Sequence, residues 1–165
     1  MKLPVGLGSG PHVHSAVVVR AASTEDVAGI YRYLSQMVTW IPDESDWPEI
    51  VNRFLIQGHV RSYVAIEALG SEPPQAIRFA SISFETKVRG GVIGHIEDVV
   101  VDATHRGGGV GRRLLEALLE ESRRRNAYRV YLECSESNVG FYESCGLDRS
   151  GNSMHWDLLH GDRPA

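Results

Sequence analysis

Two carboxylates stand side by side, Glu97 and Asp98, in a run otherwise built of small and β-branched residues, Gly94-His95-Ile96-Glu97-Asp98-Val99-Val100-Val101. On a strand, neighbouring side chains point to opposite faces, so one carboxylate is expected toward the core and the other toward solvent or a neighbour. A buried carboxylate without a partner is costly, which favours a cleft or an interface for the pair. A charged guard on an exposed sheet edge is the plainer alternative. Downstream, Arg106-Gly107-Gly108-Gly109-Val110-Gly111 lies between a predicted strand and an amphipathic stretch. Glycines let main-chain N–H groups converge, and a helix start adds partial positive charge, so this turn suits phosphate oxygens. Glycine-rich turns are often merely flexible; the strand-turn-helix setting is what points to a ligand here. It is not a Walker loop, because Arg112-Arg113 follows Gly111, and Arg112 stands where a dinucleotide fingerprint needs its third glycine.

A third segment, Leu132-Glu133-Cys134 with Asn138-Val139 and Phe141-Tyr142 ending at Cys145-Gly146, carries an acid, an amide and a phenol. A tyrosine pKa of about 10 is near enough to that of a thiol to assist a departing thiolate. Tyr142 can equally be a core aromatic, although Phe141 is expected to be the packing residue of the two. Asn138 is expected to cap a short helix. Cys134 and Cys145 read as small buried hydrophobes rather than nucleophiles.

The pattern Arg-x-x-Gly-x-Gly over Arg106–Gly111 resembles the acetyl-CoA loop of the Gcn5-related N-acetyltransferase superfamily. The flanking segments Gly94–Val101 and Leu132–Gly146 are similar to its glucosamine 6-phosphate N-acetyltransferase branch. The resemblance implies an α+β fold, a mixed and mostly antiparallel sheet flanked by helices, and direct acetyl transfer from acetyl-CoA to the 2-amino group of glucosamine 6-phosphate. It implies that the amides of Gly107, Gly108, Gly109, Val110 and Gly111, with Arg106 and Arg112, hold the pyrophosphate. Val99, Val100 and Val101 would pair with the pantetheine arm, the Val99 amide would polarise the thioester carbonyl, and Asn138 would bond the arm. Tyr142 would assist the leaving thiolate, and Glu133 would hold or deprotonate the amine.

For the acceptor, the resemblance implies contacts from Glu97, Asp98 and Glu133, and phosphate ligands at Lys87, Arg89 and Arg129, with Thr39 near a further family position. This chain has a shorter hairpin turn before Glu97. It also carries Asp157 where the branch has an arginine, with His155 or Arg149 as candidate substitutes. The branch is homodimeric, so the same assembly is expected. Transfer to another small amine or a peptide α-amine, and a non-catalytic acyl-CoA-binding relative, are the competing readings.

Regular elements are needed to place these groups. The sequence predicts a strand at Val17–Arg20, a helix opened by Ser23 and Asp26 and running to about Met37, and a second helix from Asp43 to Gly58. Strands are predicted at Val60–Leu69, Ala76–Lys87 and Val92–Val101, the last two joined by a turn at Arg89-Gly90-Gly91. Val110, Leu114, Ala117 and Leu118 follow a helical period, Tyr128–Cys134 reads as a strand, Asn138–Cys145 as a short helix and Met154–Leu158 as a last strand. One domain over residues 16–160 is expected, between a Gly/Pro-rich arm (1–15) and a short tail (161–165). At 165 residues and 42% hydrophobic the chain can bury a core, and a net charge of -4 argues against nucleic-acid or anionic-membrane binding. Two cysteines fit a reducing, cytoplasmic setting, and the scattered histidines give no metal-ligand spacing. The chain ends Arg163-Pro164-Ala165, unlike a Ser-Lys-Leu peroxisomal address.

Overall fold

The computed structural model describes residues 16–35, 38, 40–68, 75–101 and 109–151. Five strands run in spatial order β1 (Ala16–Ala21), β2 (Val60–Ala68), β3 (Gln75–Thr86), β4 (Val92–Val101) and β5 (Ala127–Leu132). The first four pair antiparallel and β5 pairs parallel to β4. Parallel pairing requires a crossover, and α3 (Val110–Arg124) supplies it. The expected mixed, mostly antiparallel sheet flanked by helices is what forms.

Alternation along the strands decides which helix covers which face. Ala65, Ala80, Ile82 and Ile96 meet Leu114, Leu115 and Leu118 of α3 on one side. Val64 and Phe79 meet Ile30 and Tyr31 of α1 (Val27–Leu34) and Val51 of α2 (Trp47–Leu55) on the other. A buried leucine stabilises by about 1.5–3 kcal/mol, so the fully buried Leu114, Leu115 and Leu118 make α3 the main anchor of the sheet.

Several elements are shorter than their sequence patterns predict. The helix expected from Ser23 opens as a 3-10 turn at Thr24–Asp26, its capping box is formed, and α1 ends at Leu34. The second helix likewise begins with a 3-10 turn at Glu44–Asp46, and α2 stops at Leu55. β5 ends at Leu132, so Glu133 and Cys134 leave the ladder. The predicted strand Met154–Leu158 lies outside the described residues.

Candidate active site

The site grows from a fork between β4 and β5. Their registered pairs end at Ile96↔Leu132, yet β4 continues to Val101. Val99, Val100 and Val101 therefore run on beyond the last pair with β5, and among the described residues no strand pairs with their main chain on that side, where an extended ligand could lie. The fork is sharpened by a bulge in β4. Phe79 pairs with Val100 but Ser81 pairs with Glu97, so β4 spends one more residue than β3 over this interval. Asp98 is the residue with positive φ there, at 49°. Bulges bend a strand and re-aim its side chains.

This bulge corrects the alternating expectation for the acidic pair. Glu97 and Asp98 are both exposed, and neither points into the core. Past the bulge the alternation resumes with changed parity: Val99 packs toward α3 while Val100 is buried. Although both acids are exposed as whole residues, partial burial raises the Glu97 carboxyl above its ordinary pKa, and the adjacent charges of Asp98 and Glu133 add to the rise while His95 opposes it. Burial likewise raises Asp98. Three carboxylates thus share one neighbourhood whose field favours an incoming cation.

At the mouth of the fork, Gly109 takes a left-handed conformation (φ 68°) and starts α3. The first turn of a helix presents N–H groups without helical partners, here at Val110, Gly111 and Arg112, together with the positive end of the helix dipole. Gly109 has open space where a Cβ would stand. The Arg112 guanidinium turns away from this terminus and donates to the Ser144 carbonyl at 2.5 Å, which ties α3 to the end of α4 (Val139–Ser144). Its side chain is therefore a brace, and its main-chain N–H is what it offers an anion. Arg106, Gly107, Gly108 and Thr39 lie outside the described residues.

Tyr142 is buried (9% exposed) in the same cluster as Ile96, Val110 and Leu114, with Val99 and Leu132 packed against it. Phe141 is the exposed member of the pair and meets Tyr142 edge-on, the reverse of the sequence expectation. A six-residue helix has only one strip to bury, and here the strip falls on Tyr142. Burial raises the phenol above its usual pKa, with smaller contributions from Cys134 and Cys145. Cys134 is exposed and Cys145 half-buried, so neither is the fully buried hydrophobe expected. Asn138 precedes α4, but its side chain makes no capping bond; its N–H donates to Ser135 at 2.9 Å. Asn138 is exposed.

On the sheet face opposite α3, the register sets His95 beside Tyr131 and Ser83, and Glu97 beside Ser81, while Glu133 follows the end of β5. His95 stacks on Tyr131 with ring centroids 5.6 Å apart. Arg129 donates to the Tyr131 hydroxyl at 3.1 Å and Arg89 to the Tyr128 hydroxyl at 3.2 Å. Lys87 bonds Glu85 at 2.6 Å. The sequence-predicted cations thus collect around the β3–β4 hairpin and β5, while the acids collect at the bulge. Arg149 is engaged by Glu136 at 2.5 Å and by Glu143 at 3.5 Å. His155 and Asp157 lie outside the described residues. Sequence reasoning passed over His95, Tyr131 and Glu85, yet His95 precedes Glu97 by two residues, the spacing of one strand face.

A family model described as "Acetyltransferase (GNAT) family" matches residues 27–147. A glucosamine 6-phosphate N-acetyltransferase of Schizosaccharomyces pombe is 40% identical over 95 residues, covering 56% of this chain and 86% of that one. A Dictyostelium discoideum protein of the same name is 36% identical over 109 residues, covering 64% and 69% respectively. The crystal structure of the Arabidopsis thaliana glucosamine-6-phosphate N-acetyltransferase aligns with TM-score 0.77 at 26% identity, over 87% of this chain and 99% of that one.

Proposed function

We propose, from the premise that this chain belongs to the acetyltransferase (GNAT) family, that it moves acetyl from acetyl-CoA to the 2-amino group of glucosamine 6-phosphate. One observation carries the choice of acceptor. Glu97, with the charges of Asp98 and Glu133 acting on it, stands at one end of a shelf whose other end carries Lys87 and Arg89 of the hairpin and Arg129 of β5. An acceptor that is an ammonium at one end and a phosphate dianion at the other matches that polarity; a polyamine or a peptide α-amine would use only the acidic end.

In this reading the α3 terminus and the glycine turn hold the coenzyme's pyrophosphate, and the main chain of Val99–Val101 on the side away from β3 holds its pantetheine arm. Glu97 and Asp98 draw in the ammonium and the sugar hydroxyls. Glu133 takes the proton that the amine must lose before it attacks. The nitrogen then forms its bond to the thioester carbon while the Val99 N–H stabilises the charge that develops on oxygen. The C–S bond breaks and its electron pair stays on sulfur. Tyr142 has a raised pKa, so it is a weaker acid than the thiol it faces and keeps its proton. It therefore assists by donating a hydrogen bond to the thiolate, which water protonates as product leaves.

The open shelf, with exposed Val88 and Tyr128 on its hairpin rim, supports a homodimer closing over the acceptor. The two free thiols support a cytoplasmic enzyme that feeds UDP-N-acetylglucosamine synthesis. The test is an acceptor panel of glucosamine 6-phosphate, glucosamine, polyamines and peptides with acetyl-CoA, read by free thiol release. Turnover confined to polyamines or peptides would overturn the acceptor assignment.

A further inference from the structure

The cationic end of the shelf already contains an anion. Glu85 follows the face-sharing residues Ser81 and Ser83 of β3 and pairs across the ladder with Ile93. Its Oε2 accepts from Lys87 Nζ at 2.6 Å and stands 3.8 Å from His95 Nε2. Lys87 also lowers the Glu85 pKa, its hydrogen bond first and its charge after, so the carboxylate is ionised at neutral pH. Arg89 and Arg129, in contrast, donate to the hydroxyls of Tyr128 and Tyr131, and no ion pair engages either guanidinium among the described residues.

The spacing gives this arrangement a meaning. Ser81 lies opposite Glu97, and four residues of strand separate it from Glu85, about 13 Å along the sheet. Side chains reaching inward from both ends leave room for one pyranose ring with an amine at the acidic end and a phosphate at the other. A phosphate arriving there meets Lys87 where the Glu85 carboxylate now sits.

We propose that Glu85 is an internal competitor for the acceptor's phosphate, neutralising Lys87 in the free protein and displaced from it when a phosphorylated amino sugar binds. The inference rests on the acceptor reading above. Its consequence is selectivity. Inorganic phosphate alone cannot easily displace the carboxylate, whereas a phosphate tethered to an ammonium binds through both ends and does.

The experiment is calorimetric titration of the full chain with glucosamine 6-phosphate and with inorganic phosphate, for wild type, Glu85→Gln, Lys87→Met and the double variant. Exposed ion pairs contribute little, so Glu85→Gln should tighten both ligands by roughly two- to fivefold, most at low salt. In the Lys87→Met background the same change should give no gain, because the competition runs through Lys87. Unchanged or weaker binding in Glu85→Gln, in a protein whose wild type binds and acetylates glucosamine 6-phosphate, overturns this inference and leaves the acceptor reading standing. A gain that persists without Lys87 also overturns it. A wild type that acetylates only unphosphorylated amines overturns the acceptor reading instead.

Discussion

Tyr142 and Glu97 both have roles in the proposed transfer, and each is set by its surroundings more than by its own type. Tyr142 is buried beside the fork and holds its proton firmly. Removing one donor aimed at developing charge costs about 10²–10³ in rate, so Tyr142→Phe should lower kcat by that order. Acetyl-CoA affinity should be unchanged, and an unaltered kcat would remove the phenol from the mechanism. The acidic cluster makes a second prediction. Glu97 has its folded pKa raised above the ordinary 4.5, so its ionised form costs stability at neutral pH, and that cost is relieved as pH falls through the raised value. Glu97→Gln should therefore raise Tm at pH 7 but much less near pH 4. The same change should raise KM for the amino sugar about 10- to 100-fold, the worth of a charge-assisted hydrogen bond. A lower Tm at pH 7 would show that the carboxylate is a structural partner. The pair Glu97-Asp98 was legible as functional from sequence because two acids are rare in a β-branched strand. Their shared exposure was not, since a bulge at φ 49° follows from the pairing with β3 and leaves no mark in local pattern.

At the scale of elements, α3 was the most legible part of the chain. Its apolar stripe of Val110, Leu114 and Leu118 is the stripe that packs on the sheet. Of the glycine turn before it only Gly109 is among the described residues, and it shows why glycine is needed there: φ is 68° and any Cβ would be strained, although nothing crowds it. Gly109→Val should thus disturb the start of α3 through backbone conformation, at about 1–2 kcal/mol, and weaken coenzyme A binding by roughly tenfold. Gly109→Asn tolerates the left-handed region better and should weaken it less; equal losses would point to side-chain obstruction instead. α4 was misread in a useful way. Periodicity could not choose between Phe141 and Tyr142 on six residues, and it is Tyr142 that joins the core cluster with Ile96, Val110 and Leu114 of other elements. β5 was overextended for a similar reason. Glu133-Cys134 looks β-compatible, but the ladder ends where β4 bulges, and a partner strand's geometry is invisible in the strand itself.

Over the whole molecule, the proposed reading puts coenzyme and acceptor functions on opposite faces of one sheet, joined through the fork. α3 and α4 brace the donor side; α1 and α2 cover the other face beside the acceptor shelf. What fixes α1 to the sheet is a buried charge. Asp26 accepts from Arg20 at 2.7 and 2.8 Å and from the Ser23 N–H at 2.8 Å, joining the end of β1 to the start of the helix. Burial works to raise its pKa, but the bonds from Arg20 and Ser23 outweigh it, and the net shift is downward from 3.8. A carboxylate with a depressed folded pKa contributes stability that is present above its unfolded value and lost as pH falls through the folded one. Asp26→Asn keeps the shape and removes the charge. Arg20 is part-exposed and can rehydrate, so the loss should be about 1–3 kcal/mol, below the full penalty of a buried orphan. Denaturant unfolding should show that deficit at pH 7 and a shrinking one below pH 3.8, where wild type loses the same interaction. Because α3 anchors the donor side independently, coenzyme A affinity of the folded variant should be retained while KM for the acceptor rises. If both fall together, the two faces are one cooperative unit rather than two surfaces meeting at a fork.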